Sequence, residues 1–470
     1  MSVVVDFLHN VLIYRGTISP ILLFDLKNRY TGDEGYALDS TVSLLGATAM
    51  SLSETLGSGL STLAYRNTML IFESFNDITY IVQCSSSTNE VLLRKAISLA
   101  HKLLCLKFGP VFLNKSRVSF KKHSVTVSCF ITVAIELIFS DISHLLDATP
   151  APILDQTIKN DLEQTLRKSC STLGNVAFHS LLFVGTQPIA SILRSSVRRP
   201  PREFASFVYT MTRLKLINQQ PLSPSASGVL VEFSDLYISV DSGFEQYGVA
   251  IFPLSLSTEK PVVMVLLFNA LEREIVDQRA SQCFSEAKKH LDLLICLALT
   301  IDKRSHCLSC SYPGLCSFVV VNRLSDGKIA TLHQGCASFN SDNEVVLAKG
   351  NQIISKLRHR MIRWVVTCHE ALGQNDTCLL IDRGNRFTFA FRLWLWVHSS
   401  GCILDVPLPE KKQPNDGEIY ECLLNRLKYR NVNICEVYAV FLSPLATDEV
   451  LLSLEGLREF VQTNYYMNSK

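Results

Sequence analysis

The side chains best suited to metal chemistry are His306, Cys307, Cys310 and Cys316. Cys307-x-x-Cys310 has the spacing of half a zinc knuckle, and a structural zinc needs four such ligands. No second Cys-x-x-Cys follows, and Cys336 or Cys368-His369 would have to return from far along the chain. The incomplete set reads as linker and strand cysteines, so no metal is expected. Cys368-His369-Glu370 can be drawn as a nucleophile with its base. On a helix, however, sequence neighbours point roughly 100° apart, so this triplet reads as a helix end. Asp302-Lys303-Arg304 is a helix-end charge cluster, and Gly57-Ser58-Gly59 is a C-cap turn. There is no phosphate-cradling Gly-rich loop, no Gly-x-Ser-x-Gly elbow and no His-Glu-x-x-His. The expectation is a non-enzyme with no cofactor. A cryptic enzyme would have to use Cys307, Cys310 or Cys368.

Three basic clusters have a different chemistry. Arg194, Arg198, Arg199 and Arg202 surround Pro200-Pro201; Lys115, Arg117, Lys121, Lys122 and His123 form a second group; Lys356, Arg358, His359, Arg360 and Arg363 form a third. Each charge near an anionic membrane contributes about 1 kcal/mol, which makes Arg198, Arg199 and Arg202 candidate lipid contacts. The competing reading is a solvated loop or helix face. No aromatic platform interleaves with these charges, so nucleic acid is not an expected partner.

The composition limits what can position such groups. The chain has 470 residues, 47% of them hydrophobic and 19% charged, with a formal net charge of +2. A chain this apolar folds, and a balance this neutral produces no global field to draw it onto nucleic acid. Its most apolar run, Val125 to Phe139, alternates β-branched residues around Glu136 and reads as a buried strand; Pro261 to Phe268 and Leu291 to Leu299 are shorter. None reaches the ~20 residues of a spanning helix. The first ten residues lack a basic region and a small-residue cleavage site. Fifteen scattered cysteines, an odd number, fit reduced thiols in the cytosol. The expectation is a soluble cytoplasmic protein that hides apolar surface against itself or a partner.

Pro-rich joints at Thr149-Pro-Ala-Pro152 and Ser309-Cys-Ser-Tyr-Pro-Gly314 mark three blocks, at 1–150, 165–308 and 315–470. Each opens with a strand pair: Ser2 to Leu8 with Val11 to Tyr14, Val176 to Val184 with Ile189 to Leu193, and Cys316 to Arg323 with Ile329 to Leu332. A helix follows in each, at Ser40 to Leu56, Arg202 to Ile217 and Asn343 to Cys368. Leu45, Ala49, Leu52 and Leu56 share one face of the first.

Further strands come next: Leu60 to Tyr65, Thr68 to Ser74 and Ile78 to Cys84; then Gly228 to Phe233, Tyr237 to Val240, Tyr247 to Leu256 and Val262 to Phe268; then Thr377 to Asp382, Phe387 to Trp396 and Ile403 to Val406. The blocks close with helices at Glu90 to Leu106 (with a Ser87/Glu90 capping box), Leu271 to Leu299, and Ile419 to Tyr429 plus Asp448 to Gln462. Short turns make the sheets antiparallel with helices on their faces, an α/β fold of the α+β kind. In Phe391-Arg-Leu-Trp-Leu-Trp-Val397 both faces are apolar, which reads as helices on both sides of that strand, with a protein interface on one face as the alternative.

The first block resembles a longin domain, most densely from Leu38 to Leu106: the helix Ser40-Thr-Val-Ser-Leu-Leu-Gly46, the stretch Ser61-Thr-Leu-Ala-Tyr-Arg-Asn67, the strand pair Leu70 to Val82, and the helix after it. Three such modules in one chain resemble the tri-longin family of the Mon and Ccz proteins, the Hermansky–Pudlak BLOC subunits, Inturned and Fuzzy. Ser74 to Val82 and the overall size are most similar to the Fuzzy-type planar cell polarity effectors.

The resemblance implies three consecutive longin-like domains. It implies an Inturned-like partner joined through the first longin domain, action of the pair on a Rab-family GTPase by nucleotide exchange, and a place at the ciliary basal body. A WD-repeat ciliary protein and anionic lipids are further partners it allows. The residues it points to on the first sheet and helix are Leu45, Ala49, Leu52, Phe72, Ile78 and Tyr80. The alternative is a trafficking adaptor or scaffold that binds membranes or cargo without exchange activity.

Overall fold

A computed structural model describes residues 8–15, 21–26, 44, 48, 61–76, 78–109, 120, 122–146, 156–173, 177–193, 200–201, 203–218, 231–240, 243–255, 261–289, 296, 314–323, 329–336, 360–368, 379–397, 402–405, 432–442 and 445–462. They form a mixed α/β chain of three antiparallel sheets flanked by helices.

The first sheet holds β1 (Leu8–Arg15), β2 (Ile21–Asp25), β3 (Thr62–Tyr65), β4 (Thr68–Phe75) and β5 (Ile78–Ser85). The second holds β6 (Ala177–Val184), β7 (Gln187–Leu193), β8 (Glu232–Val240), β9 (Gly243–Ser255) and β10 (Val262–Asn269). The third holds β11 (Leu315–Arg323), β12 (Ile329–Cys336), β13 (Leu379–Arg383), β14 (Phe387–Val397), β15 (Cys402–Asp405) and β16 (Val432–Leu442). Across every sheet the strands run in one spatial order: second, first, last, fourth, third. In the third sheet β15 is an addition. It pairs with Trp394 to Val397 of β14, beyond the stretch that pairs with β13.

The last strand of each sheet is therefore central, although it is the last made. A strand in that place is flanked on both edges and is mostly buried, which favours apolar residues on both of its faces. Val262 to Phe268 of β10 are all buried, and so are Asn433 to Phe441 of β16.

Several local expectations change. Val11 to Tyr14 belongs to a longer strand, because Leu8 to Arg15 runs as one strand paired with β5 along its length, while residues 2–7 of the expected first strand lie outside the described residues. Glu232–Val240 likewise replaces the two short strands expected on either side of Ser234. The apolar run Val125 to Phe139 is a helix, α2 (Ser124–Ser140), not a strand. Seventeen residues exceed a normal strand, and an apolar stretch buried on almost every side carries no period to read. The strand β16 was not anticipated, because buried Asn433 and Glu436 interrupt its apolar pattern. Neither was α3 (Gln156–Cys170), a mostly polar helix that buries Leu162 and Leu166 one turn apart. Ile419 to Tyr429 lies outside the described residues.

Helix α1 (Glu90–Phe108) starts on Asn89, whose Oδ1 accepts the Leu92 amide at 3.1 Å. The Ser87/Glu90 box is not made, because Glu90 turns its carboxylate to Thr62 and Arg94. Helix α4 (Phe204–Asn218) buries Phe204, Phe207 and Met211. Helix α5 (Arg273–Lys289) follows a single 3-10 turn, and α6 (Thr447–Val461) closes the described chain with Glu449 reaching back to the Ala446 amide at 2.8 Å.

The first two sheets share one helical layer. Helix α1 packs against β4 of the first sheet, β8 of the second, α2 and α4. Val11, Ile71, Tyr80 and Val82 on one side and Phe183, Leu236, Val249 and Val265 on the other belong to one buried cluster with these helices. The far face of the second sheet is covered by α3 and α5 through Leu162, Leu166, Val276 and Ala280. In the third sheet, Met361, Ile362 and Val365 of the 360–368 helix share a cluster with Phe391 and Leu393, while Val450, Leu454 and Leu457 of α6 meet Trp394 and Trp396. The strand with two apolar faces is thus covered by helices on both.

Candidate partner interface

Among the described strands β3 lies at the edge of the first sheet, and one arginine holds it there. Arg94 stands one turn into α1, so its guanidinium reaches the β3–β4 corner. Its Nη2 donates to Ser61 O at 2.7 Å, Thr62 Oγ1 at 2.9 Å and Glu90 Oε1 at 2.8 Å. Its Nη1 donates to Phe72 O at 3.0 Å and Glu73 Oε2 at 2.5 Å, and Nε donates to Glu90 Oε1 at 2.9 Å. The Thr62 hydroxyl in turn donates to Glu90 at 2.5 Å. That bond first, and Arg94 after it, hold the Glu90 carboxyl below its ordinary range against the effect of burial. A rigid donor fork of this kind fixes geometry where lysine would not.

The result is a fixed edge with apolar side chains beside it. Leu63 is 38% exposed on β3 and Val91 is 39% exposed in the first turn of α1. An edge strand carries a row of backbone donors and acceptors suited to strand addition.

The interior of the same sheet holds a Tyr–His–Cys group. Tyr80 Oη lies 3.1 Å from His101 Nδ1, and Cys105 Sγ lies 3.6 Å from His101 Nε2. Phe75 stacks on the imidazole with centroids 4.2 Å apart. Burial pulls His101 down to about 4 and pushes Cys105 up to about 11. At neutral pH the ring is uncharged and the thiol protonated, which is the reverse of an activated Cys–His pair.

At the junction of the first two blocks, Ser206 Oγ lies 2.8 Å from His144 Nε2, and His144 Nδ1 lies 3.3 Å from Asp141 Oδ2. Burial opposes ionisation of Asp141, but the bonds from His144 and Ser143 outweigh it and hold the carboxyl well below its usual range. The order Ser–His–Asp is that of a hydrolase triad. Ser206, however, sits 3% exposed in the first turn of α4, with no room for a substrate carbonyl. The chain of bonds ties the end of α2 to α4. Arg213 on α4 and Glu136 on α2 add an ion pair at 2.5 Å.

Of the residues singled out from sequence, Ile78 and Tyr80 are fully buried on the sheet face beneath α1. Phe72 points to the opposite face, where it clusters with Tyr14 and Ile81. Leu45, Ala49, Leu52, Arg198, Arg199 and Arg202 lie outside the described residues. Their neighbours Leu44 and Thr48 are helical and exposed. His306, Cys307 and Cys310 also lie outside, while Cys316 and Cys368 are buried. Among the described residues no group of His, Cys, Asp and Glu is arranged to hold a metal. No helix among them is long and apolar enough to cross a membrane. Arg94 escaped the sequence reading, though its four-residue spacing from Glu90 was visible; nothing local marked His144 or Ser206 as partners.

No protein-family model matches the chain, and no curated protein matches it. A solved structure, described as "MglB with tetrameric arrangement", is similar to 32% of this chain and 98% of its own, at 12% identity and a TM-score of 0.19. A likeness of that size supports neither fold nor function.

Proposed function

We propose that this chain is a Fuzzy-like, non-catalytic subunit of a ciliogenesis and planar cell polarity complex. It pairs with an Inturned-like tri-longin chain, and the pair binds a Rab-family GTPase and promotes nucleotide exchange. The observation that carries this reading is the threefold recurrence of one strand order, each time with helices on the sheet. It agrees with the resemblance of Leu38 to Leu106 to a longin domain. Exchange needs no covalent catalyst. It needs a surface with higher affinity for the nucleotide-free switch conformation than for the loaded one. The β3 edge with Leu63 and Val91 is the surface on which the partner docks. The pair works in the cytoplasm and at the basal body, with a WD-repeat protein as a third component.

Co-expression with an Inturned-type chain, followed by size-exclusion chromatography with light scattering, tests the pairing. A 1:1 complex that accelerates release of a fluorescent guanine nucleotide from a Rab protein is the expected result. A monomer that ignores the partner overturns the pairing; a complex inactive across a Rab panel overturns the exchange role.

A second reading is a membrane-binding adaptor. It rests on Arg360 and Arg363, both exposed on the 360–368 helix. Liposome flotation that depends on these residues and on Arg198, Arg199 and Arg202, without GTPase binding, would favour it.

A further inference from the structure

Two thiols far apart in sequence meet on the outer face of the second sheet. Cys170 is the last residue of α3, and Cys283 lies in the middle of α5. The two helices pack side by side, and both cysteines are free. Cys283 is fully buried in the cluster formed by Leu162, Leu166, Val276 and Ala280, while Cys170 is half-buried at its margin. The Cys170 side chain packs against the cluster that holds Cys283, with Ser180 of β6 as a further neighbour. The influence of these neighbours, Cys283 first, draws the Cys170 thiol below its ordinary range against burial, and Cys283 is pushed up in return.

A half-buried thiol on one helix, beside a buried second thiol on the helix packed against it, is the arrangement of an attacking and a resolving cysteine. All five strands of the second sheet lie between the two positions in sequence. A bond between them would close one loop around that entire sheet, and long loops lose the most unfolded-state freedom when cross-linked.

We propose that Cys170 and Cys283 form a reversible disulfide under peroxide, locking α3 to α5. Hydrogen peroxide is the oxidant. The Cys170 thiolate attacks one peroxide oxygen, the O–O bond breaks, and the departing hydroxide takes a proton to leave as water. Cys170 is then a sulfenic acid. The Cys283 sulfur attacks the Cys170 sulfur, the S–O bond breaks, and the hydroxide leaves with the Cys283 proton as a second water. Two thiols have lost two electrons and one peroxide has gained them. A dithiol reductant reverses the step by exchange.

The test uses the full chain, reduced, then exposed to hydrogen peroxide, alkylated and mapped by mass spectrometry. The expected product is a peptide pair linked through Cys170 and Cys283, lost on adding dithiothreitol. The oxidised chain should also melt several degrees higher than the reduced one. In Cys283→Ser the sulfenic acid has no resolving partner, and dimedone labelling at Cys170 should rise about tenfold over the wild type. The proposal is overturned if peroxide oxidises other thiols while Cys170 and Cys283 both remain alkylatable, or if Cys170 links to a different cysteine. Should Cys283→Ser fail to fold, the wild-type peptide map decides alone.

Discussion

Lys107 Nζ donates to Ser234 Oγ at 2.7 Å, joining the last turn of α1 to β8 across the boundary between the first two blocks. Lys102 on the same helix pairs with Glu203 at 2.9 Å. Helix α1 therefore serves as the floor of the first sheet and the roof of the second. A fragment ending at the Pro-rich joint near residue 150 would expose the α1 and α2 surfaces that now meet Phe207, Leu236 and Val265. Residues 1–150 alone should aggregate or bind a hydrophobic dye, while 1–308 should remain dispersed. Light scattering on the two fragments checks this; a well-folded 1–150 monomer would refute the shared layer.

Gly109 ends α1 with φ +60°, its amide donating to Cys105 O at 2.7 Å. A Cβ there would stand 2.5 Å from Cγ and Cδ1 of Tyr237 on β8. Left-handed backbone and a ring in the way act together, so Gly109→Ala should cost about 1–3 kcal/mol. Gly185 has the same φ with nothing within 4 Å of the added carbon, so Gly185→Ala should cost less. Urea unfolding midpoints of the two variants give the comparison.

Removing Arg94 leaves Ser61 O and Thr62 without their charged donor and Glu73 without its partner. Arg94→Ala should destabilise by about 1–3 kcal/mol, and Arg94→Lys should recover little, because a point charge cannot span five acceptors. Hydrogen exchange should quicken first at β3. If β3 is the docking edge, partner binding should weaken more than global stability does.

His101 titrates near 4 in the folded chain and near 6.5 when unfolded. Between those values the unfolded chain binds more protons, so stability falls as the pH drops from about 6.5 to about 4. Glu90, held low, acts in a lower window: its contribution is full above the unfolded carboxylate value and fades as the pH falls through the folded one. Denaturation at pH 7 and pH 5 should show a loss in the wild type. His101→Gln should flatten it; an unchanged slope would reject His101 as its source.

If the β3 edge is where a partner docks, it is sensitive to charge. Leu63→Asp puts a carboxylate on a side chain that is 38% exposed, so the fold should tolerate it. Complex formation with an Inturned-type chain should drop by at least about tenfold, as buried unpaired charge is costly at an interface. Co-purification yield and chromatography of the variant measure both.

The sequence by itself determined the elements whose apolar residues keep a period. The hairpin from Thr68 to Cys84, the helix from Glu90 and the two-faced strand around Trp394 are where local pattern placed them. It also carried the absence of familiar catalytic motifs. Tertiary structure alone decided the rest. The run around Phe130 is apolar on every side, so strand and helix were indistinguishable until burial between α1 and α4 chose the helix. The central place of β16 depends on pairing with β11 and β14, which no neighbour in sequence reports. The meetings of His144 with Ser206, Lys107 with Ser234 and Cys170 with Cys283 follow the same rule. Periodicity records which face of a segment is covered; only packing decides what covers it.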